Sequence, residues 1–162
     1  MLLNVSFKHL TEFPYELITP DITEIDCGDN KLSSLDGLPP QIKYLNCNGN
    51  NIRRLENLPL GLEYLDCADN KIINIFIPPL LIELNCSYNK LSRLPELPQS
   101  LISLSCCYNK LSSLPNLSQG LQSLYCNNNQ LSSLPELSQD LQHLYCNHNK
   151  LSTLPKLSQG LQ

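Results

Sequence analysis

Residues 121–140, LQSLYCNNNQLSSLPELSQD, and residues 141–160, LQHLYCNHNKLSTLPKLSQG, are two copies of one 20-residue pattern. Further copies lie upstream, at residues 22–41, 42–61, 62–80, 81–100 and 101–120. The copy at 62–80 is one residue shorter than the others. Because a fixed period of about 20 to 50 residues is the signature of a repeat architecture, this periodicity predicts a solenoid of stacked units.

The amino-acid composition reflects the repeat. The 162 residues include 35 leucines and 18 asparagines, whereas aromatic residues make up 6% and tryptophan is absent. We therefore expect a core filled by one recurring aliphatic type. A cysteine and an asparagine recur together in each copy, at Cys27, Cys47, Cys67, Cys86, Cys106, Cys126 and Cys146, and at Asn30, Asn50, Asn70, Asn89, Asn109, Asn129 and Asn149.

Charge and hydropathy exclude several classes of protein. The net charge of -4 and the isoelectric point near 5.3 argue against nucleic-acid binding through a basic face. No apolar run approaches the roughly 18–20 residues that span a bilayer, so no membrane association is expected. The N-terminal MLLNVSFKHL lacks the charged and apolar regions of a secretory signal.

The consensus L-x-x-L-x-C-x-x-N-x-L-x-x-L-P-x-L resembles the leucine-rich repeat, and the resemblance covers nearly the whole chain. It implies a curved parallel β-sheet on the concave face, with extended, polyproline-like or short 3-10 segments on the convex side. The 20-residue length and the LPxLP motif of the convex segment are similar to the leucine-rich-repeat class found in bacterial effectors. The cysteine-bearing repeats also resemble those of giant viruses. The effectors' N-terminal helical hairpin and C-terminal ubiquitin-ligase domain have no counterpart in this sequence, so neither function is carried over.

The repeat register divides the chain into three parts. Residues 1–21 are predicted to form a degenerate N-terminal capping repeat, in which Lys8 stands where the other copies have asparagine. Residues 22–160 form seven repeats, and residues 161–162 begin a further one without a C-terminal cap. An uncapped end predicts end-to-end self-association, or a natural protein that continues.

Each repeat position, numbered from the first leucine, has a predicted role. Positions 1, 4, 6, 11, 14 and 17 are apolar and point inward, whereas 3, 5 and 7 point outward from the strand. The asparagine at position 9 satisfies backbone groups of the turn. The cysteine at position 6 acts as a small buried hydrophobe, because ligands on successive strands do not converge on a metal.

The free thiols at seven such positions indicate a reducing, cytoplasmic location, which is the host cytosol for a viral or effector protein.

No catalytic site, metal site or cofactor is predicted. Cys107, at position 7, is expected to be the only cysteine facing solvent. The nearest candidate base is His148, two strands or about 10 Å away, which is too far for nucleophile activation. We therefore interpret Cys107 as a surface thiol.

The outward rows supply the candidate partner-binding residues. Six of the seven tyrosines fall on neighbouring strands in pairs, either to stabilise the sheet by stacking or to anchor a partner. Acidic side chains on the same rows either solubilise the surface or bind a basic segment of the partner. The predicted partner-binding residues are Glu24, Asp26, Tyr44, Tyr64, Asp66, Glu83, Tyr88, Tyr108, Tyr125, His143 and Tyr145.

These features favour a non-enzymatic protein–protein interaction scaffold that binds a protein partner on its concave face. Two alternatives remain open. One is a substrate-recognition module of a ubiquitin ligase or other enzyme whose catalytic part is on another chain or missing. The other is a fragment of a longer repeat protein.

Overall fold

The computed structural model describes residues 1–161 and shows a parallel-sheet solenoid with a single short 3-10 helix at Tyr15–Leu17 in that range. Ten strands follow the chain: β1 Leu2–Asn4, β2 Glu24–Asp26, β3 Tyr44–Asn46, β4 Arg54–Leu55, β5 Tyr64–Asp66, β6 Asn74–Ile75, β7 Glu83–Asn85, β8 Ser103–Ser105, β9 Ser123–Tyr125 and β10 His143–Tyr145. No helix in the described part of the chain is long and apolar enough to cross a membrane.

Eight strands form the main sheet in the order β1-β2-β3-β5-β7-β8-β9-β10, and every pairing is parallel. Equivalent positions are aligned, so that Leu45 lies beside Leu65 and Leu65 beside Leu84. Each three-residue strand presents one central side chain to the core. A slip of one residue would expose that leucine, so the apolar pattern fixes the register.

The core is a stack of aliphatic side chains from positions 1, 4, 6, 11, 14 and 17, as the sequence predicts. Leu45, Leu62, Leu65 and Cys67 are fully buried. Only the last repeat departs from this pattern, because Leu154 and Leu157 are 50% and 43% exposed. Leu161 packs partly against the core, and the remaining residue of the predicted further repeat, Gln162, lies outside the described residues.

Every repeat asparagine bridges two neighbouring repeats. The Asn70 side chain donates to the carbonyl of Cys47 in the preceding repeat, at 3.0 Å, and to those of Cys67 and Ala68 in its own. Its Oδ1 accepts the backbone N–H of Ile52 at 2.9 Å. One amide thus satisfies buried backbone groups that turns would otherwise leave unpaired. The structural role predicted for position 9 is confirmed.

The convex side contains a second sheet that the sequence did not predict. Strands β4 and β6 pair in parallel, and the N–H of Phe76 extends the pairing by donating to the carbonyl of Leu55 at 2.6 Å. Phe76 occupies position 15, where the last four repeats carry proline. Proline has no N–H to donate, so this pairing forms only where the repeat lacks it.

Burial keeps the core cysteines protonated. It raises the pKa of the Cys27, Cys86 and Cys126 thiols to about 12, from an ordinary value of 9.0. The negative charge of Asp26 adds to this effect at Cys27. A thiolate in the apolar stack would lose its hydration, so the neutral form is favoured.

Replacing Asn70 with alanine removes the bridge between two repeats. The N–H of Ile52 and the carbonyl of Cys47 then lose a buried partner, so we expect the free energy of unfolding to fall by about 3 kcal/mol. Urea denaturation followed by circular dichroism measures the loss. The exposed Asn116→Ala variant is the control, with a change within about 0.5 kcal/mol. Equal losses in the two variants would contradict the bridging role.

The buried thiols make the fold sensitive to alkali. Above pH 9 the unfolded chain releases thiol protons that the folded chain retains, so the stability they contribute is lost as pH rises from 9 to 12. We expect each thiol to contribute a decline of about 1.4 kcal/mol per pH unit in this window. Denaturation at pH 9 and 10.5 measures the slope. The Cys126→Ala variant should show a shallower slope than the original chain, and an identical slope would refute the assignment.

Candidate functional site

The concave face consists of positions 3, 5 and 7 together with position 8 at the strand exit. The strand register aligns these positions into rows that run across the sheet. In the row at position 3, Glu24 lies beside Tyr44, Tyr44 beside Tyr64, and Tyr64 beside Glu83. Across the seven repeats, the four rows contain six carboxylates and two histidines but neither lysine nor arginine. The face is therefore acidic toward the N-terminal repeats and close to neutral beyond them.

Three stacked tyrosine pairs lie on this face, as the sequence predicts. The ring centroids are 4.3 Å apart for Tyr44 and Tyr64. The other two pairs are Tyr88 with Tyr108 at 4.4 Å and Tyr125 with Tyr145 at 5.1 Å. These separations match the spacing of about 4.8 Å between neighbouring strands, so stacking follows from the register.

The Tyr64 hydroxyl lies in an anionic environment. Its pKa is raised well above the ordinary value of 10.0, first by partial burial and then by Tyr44, Asp66 and Glu83. A negative charge near a phenol disfavours the phenolate. Asp66 lies on the strand of Tyr64, and Glu83 is the neighbour of Tyr64 on the next strand.

Two of the predicted binding residues also have a local structural role. Asp26 accepts the N–H of Gly28 at 3.1 Å, and Asp66 accepts the N–H of Ala68 at 3.0 Å. Asn46 and Asn85 accept the equivalent position-7 N–H groups. An Asp or Asn side chain that closes such a turn supports the strand exit. Position 5 of the first four repeats thus supports the backbone of the turn.

Position 8 adopts the left-handed conformation in all seven repeats. The φ angle is 51° at Asp29, 60° at Gly49 and 56° at Asn128, residue types that tolerate this region. Tyr88 and Tyr108 adopt it too, with φ of 55° and 52°. A bulky side chain is uncommon there, and such a conformation costs about 1–3 kcal/mol. The second tyrosine pair is held in place by the turn and projects from the edge of the sheet, about half exposed.

A shallow depression lies beside the second tyrosine pair. Its lining combines three tyrosines with small and amide side chains. It is lined by Ala68, Asn85, Ser87, Tyr88, Ser105, Cys107, Tyr108, Tyr125 and Asn127.

The prediction that Cys107 alone faces solvent is wrong in two respects. Cys107 is half-buried, and its thiol donates to Oδ1 of Asn127 at 2.9 Å. Burial raises its pKa, so the thiol is not activated as a nucleophile. Cys146 is also partly exposed, because β10 is an edge strand of the sheet.

The two candidate histidines remain apart from any ligand cluster. His143 is half-buried on β10 beside Ser123, and His148 is exposed at the left-handed position. In residues 1–161 no group of three His, Cys, Asp or Glu side chains is arranged to hold a metal ion.

Three-residue parallel strands, an asparagine bridge in each turn and a 20-residue period define a leucine-rich-repeat solenoid. A family model described as Leucine Rich repeats (2 copies) matches residues 119–159. No curated protein matches the sequence.

Solved structures of bacterial proteins share the fold. YopM, a leucine-rich effector from Yersinia pestis, is 30% identical with a TM-score of 0.88, and the match covers 96% of this chain and 45% of YopM. A Shigella effector LRR domain is 36% identical with a TM-score of 0.78, covering 83% and 62%. The functional domain of InlJ from Listeria monocytogenes, which includes a cysteine ladder, is 32% identical with a TM-score of 0.73, covering 82% and 31%.

The chain is a leucine-rich-repeat protein similar to these bacterial effectors. It spans less than two thirds of the length of each of the three chains.

Thiol labelling tests the revised view of the cysteines. With iodoacetamide at pH 8, we expect slow alkylation of Cys107 and Cys146 in the native protein, because burial raises the pKa of both. The six buried cysteines should react only after unfolding. Mass spectrometry of tryptic peptides identifies each site, with Cys107→Ser as the control for its peptide. Native alkylation of Cys67 at the rate of Cys107 would show that the core is open.

Proposed function

We propose that the protein is a non-enzymatic scaffold that binds a partner protein on its concave face. The proposal rests on one observation, the three stacked tyrosine pairs displayed on an otherwise polar face without lysine or arginine. Tyrosine provides a large contact area at a low cost in conformational entropy, and tyrosines are enriched among the residues that dominate binding energy.

The rigid backbone beneath the tyrosines supports this function. Each ring is stacked on a neighbour, so binding would not need to order it. The asparagine bridges and strand pairing likewise hold the rows in place before a partner arrives. Preorganisation of this kind reduces the entropic cost of association.

The charge of the face indicates the chemistry of the partner. The carboxylates of Glu24, Asp29, Asp69 and Glu83 are exposed on the rows of the N-terminal repeats. A basic segment of the partner would complement them, and its association would be steered by this field. An acidic face does not suit nucleic acid or an anionic membrane. The eight cysteines, all free thiols and six of them buried, suit a reducing compartment, so we propose a cytoplasmic location, in the host for an effector.

A second function uses the same surface. The chain would serve as the recognition module of an enzyme, such as a ubiquitin ligase, whose catalytic part is on another chain or beyond this sequence. The similarity to the LRR domain of a Shigella effector favours this version, because that structure is one domain of an effector. Self-association through the exposed Leu154 and Leu157 side chains, and origin as a fragment of a longer repeat protein, are separate proposals.

Site-specific cross-linking tests which face binds. The photoreactive amino acid p-benzoylphenylalanine replaces Tyr108 or Tyr125 on the concave face, and Ser113 on the convex side as a matched exposed control. After irradiation in a cytosolic extract, we expect the two concave positions to form the same discrete adduct on denaturing gels. The Ser113 position should form none of it. Adducts of equal yield from Ser113 would contradict concave-face binding.

A further inference from the structure

The row at position 3 of the first four repeats has a symmetrical order of side chains. Glu24 on β2, Tyr44 on β3, Tyr64 on β5 and Glu83 on β7 are direct neighbours across the sheet. We call these four residues the Glu-Tyr-Tyr-Glu row. Its two tyrosines are stacked almost in parallel, at an interplanar angle of 5°.

We propose that the Glu-Tyr-Tyr-Glu row binds an extended basic segment of the partner, with two arginine or lysine side chains spaced four residues apart. The inference rests on the proposed function and specifies the partner's chemistry at one part of the concave face. It predicts two equivalent cation subsites, each formed by one glutamate and the neighbouring tyrosine.

The geometry of the stack creates the two subsites. Each tyrosine covers one face of the other ring, so each ring keeps one outer face. The outer face of Tyr44 is directed toward the strand of Glu24, and the outer face of Tyr64 toward the strand of Glu83. A guanidinium or ammonium group placed there would contact an aromatic face and a carboxylate together.

The two glutamates are available for such contacts. Glu24 and Glu83 are exposed, whereas Asp26 on β2 and Asp66 on β5 accept backbone N–H groups. The single ion pair among residues 1–161 joins Lys43 to Glu63 and leaves the row untouched. A cation from another molecule would be the first to pair with Glu24 or Glu83.

The separation of the two outer ring faces sets the spacing in the partner. The ring centroids are 4.3 Å apart, and a cation lies about 4 Å outside each ring, so the two cations lie about 12 Å apart. An extended chain rises about 3.3 Å per residue, so residues four apart lie about 13 Å apart and point to the same side. Residues three apart point to opposite sides and could fill only one subsite. Arginine should bind more tightly than lysine, because its planar group stacks on aromatic rings.

Fluorescence anisotropy with synthetic peptides tests the spacing on the intact chain. The probe is fluorescein-labelled GSRGSGRGS, whose arginines are four residues apart. The comparison peptides are GSRGSRGSG, with a spacing of three, and the probe with both arginines replaced by citrulline. We expect the probe to bind about threefold or more tightly than the spacing-three peptide, and the citrulline peptide to bind at least tenfold more weakly. Equal affinity for all three peptides would overturn the proposal.

Charge variants distinguish binding at the two subsites from a general effect of the negative charge of the chain. Glu24→Gln and Glu83→Gln should each weaken probe binding about two- to fivefold, and the double variant roughly tenfold. Glu96→Gln with Glu136→Gln removes the same charge from exposed convex positions and should leave affinity unchanged. An equal effect of the convex pair would show that only net charge matters, against the proposal. These substitutions are at exposed sites, so the fold is retained.

The experiments distinguish a failure of the Glu-Tyr-Tyr-Glu inference from a failure of the proposed concave-face function. If the concave cross-links form but the peptides show no preference for spacing, the inference about the Glu-Tyr-Tyr-Glu row fails and the scaffold function stands. If the cross-links form equally from Ser113, the concave-face function fails. A spacing preference that is lost in the Glu24→Gln and Glu83→Gln double variant would support the two subsites.

Discussion

The asparagine bridge between neighbouring repeats is the interaction on which the rest of the structure depends. Each bridge binds a carbonyl of the preceding repeat and accepts a backbone N–H from it, as Asn50 does with Cys27 and Leu32. It therefore fixes the distance and register of two repeats with one side chain. The aliphatic core supplies the driving force for stacking, but apolar side chains are non-directional and would tolerate small slips. The alignment of the concave rows, and with it the stacking of the tyrosines, follows from the directional bonds of the asparagine.

The bridge also determines which conformation precedes it. Asp69, the residue before Asn70, adopts the left-handed conformation with a φ of 48°. This conformation directs the Asn70 side chain into the turn. This requirement recurs at every strand exit, so position 8 always projects at the edge of the concave face. Most repeats meet it with Asp, Gly, Asn or His, at little cost. Tyr88 and Tyr108 meet it at a conformational cost, and the stacking of the two rings offsets a part of that cost.

The periodicity predicted the solenoid, the inward positions, the bridging asparagines and the tyrosine pairs, because each depends on a spacing that is visible in the sequence. Other features depended on information that spacing does not carry. The turn-closing bond of Asp66 is one of them, since an outward carboxylate on a strand carries no sign that it will accept the N–H two residues later. The convex pairing of β4 with β6 requires a residue other than proline at position 76, because the N–H of Phe76 donates to Leu55. The sequence shows this difference from the later repeats, but it does not show that the two segments pair. The partial burial of Cys107 follows from its bond to Asn127, a neighbour in space but not in sequence.

The turn-closing role of position 5 divides the concave face into two halves with different chemistry. In the first four repeats Asp or Asn closes the turn at position 5, so position 3 is left to vary, and it holds the Glu-Tyr-Tyr-Glu row. From the fifth repeat onward position 5 holds Ser105, Tyr125 and Tyr145, and at β8 the hydroxyl of Ser87 in the preceding repeat accepts the N–H of Cys107. Tyrosine can then occupy position 5, and the third pair lies in that row on β9 and the edge strand β10. Simple duplication of one unit would copy the turn closure together with the rest. Its replacement by aromatic residues in the later repeats removes a local hydrogen bond and adds ring surface to the face that we propose as the binding surface.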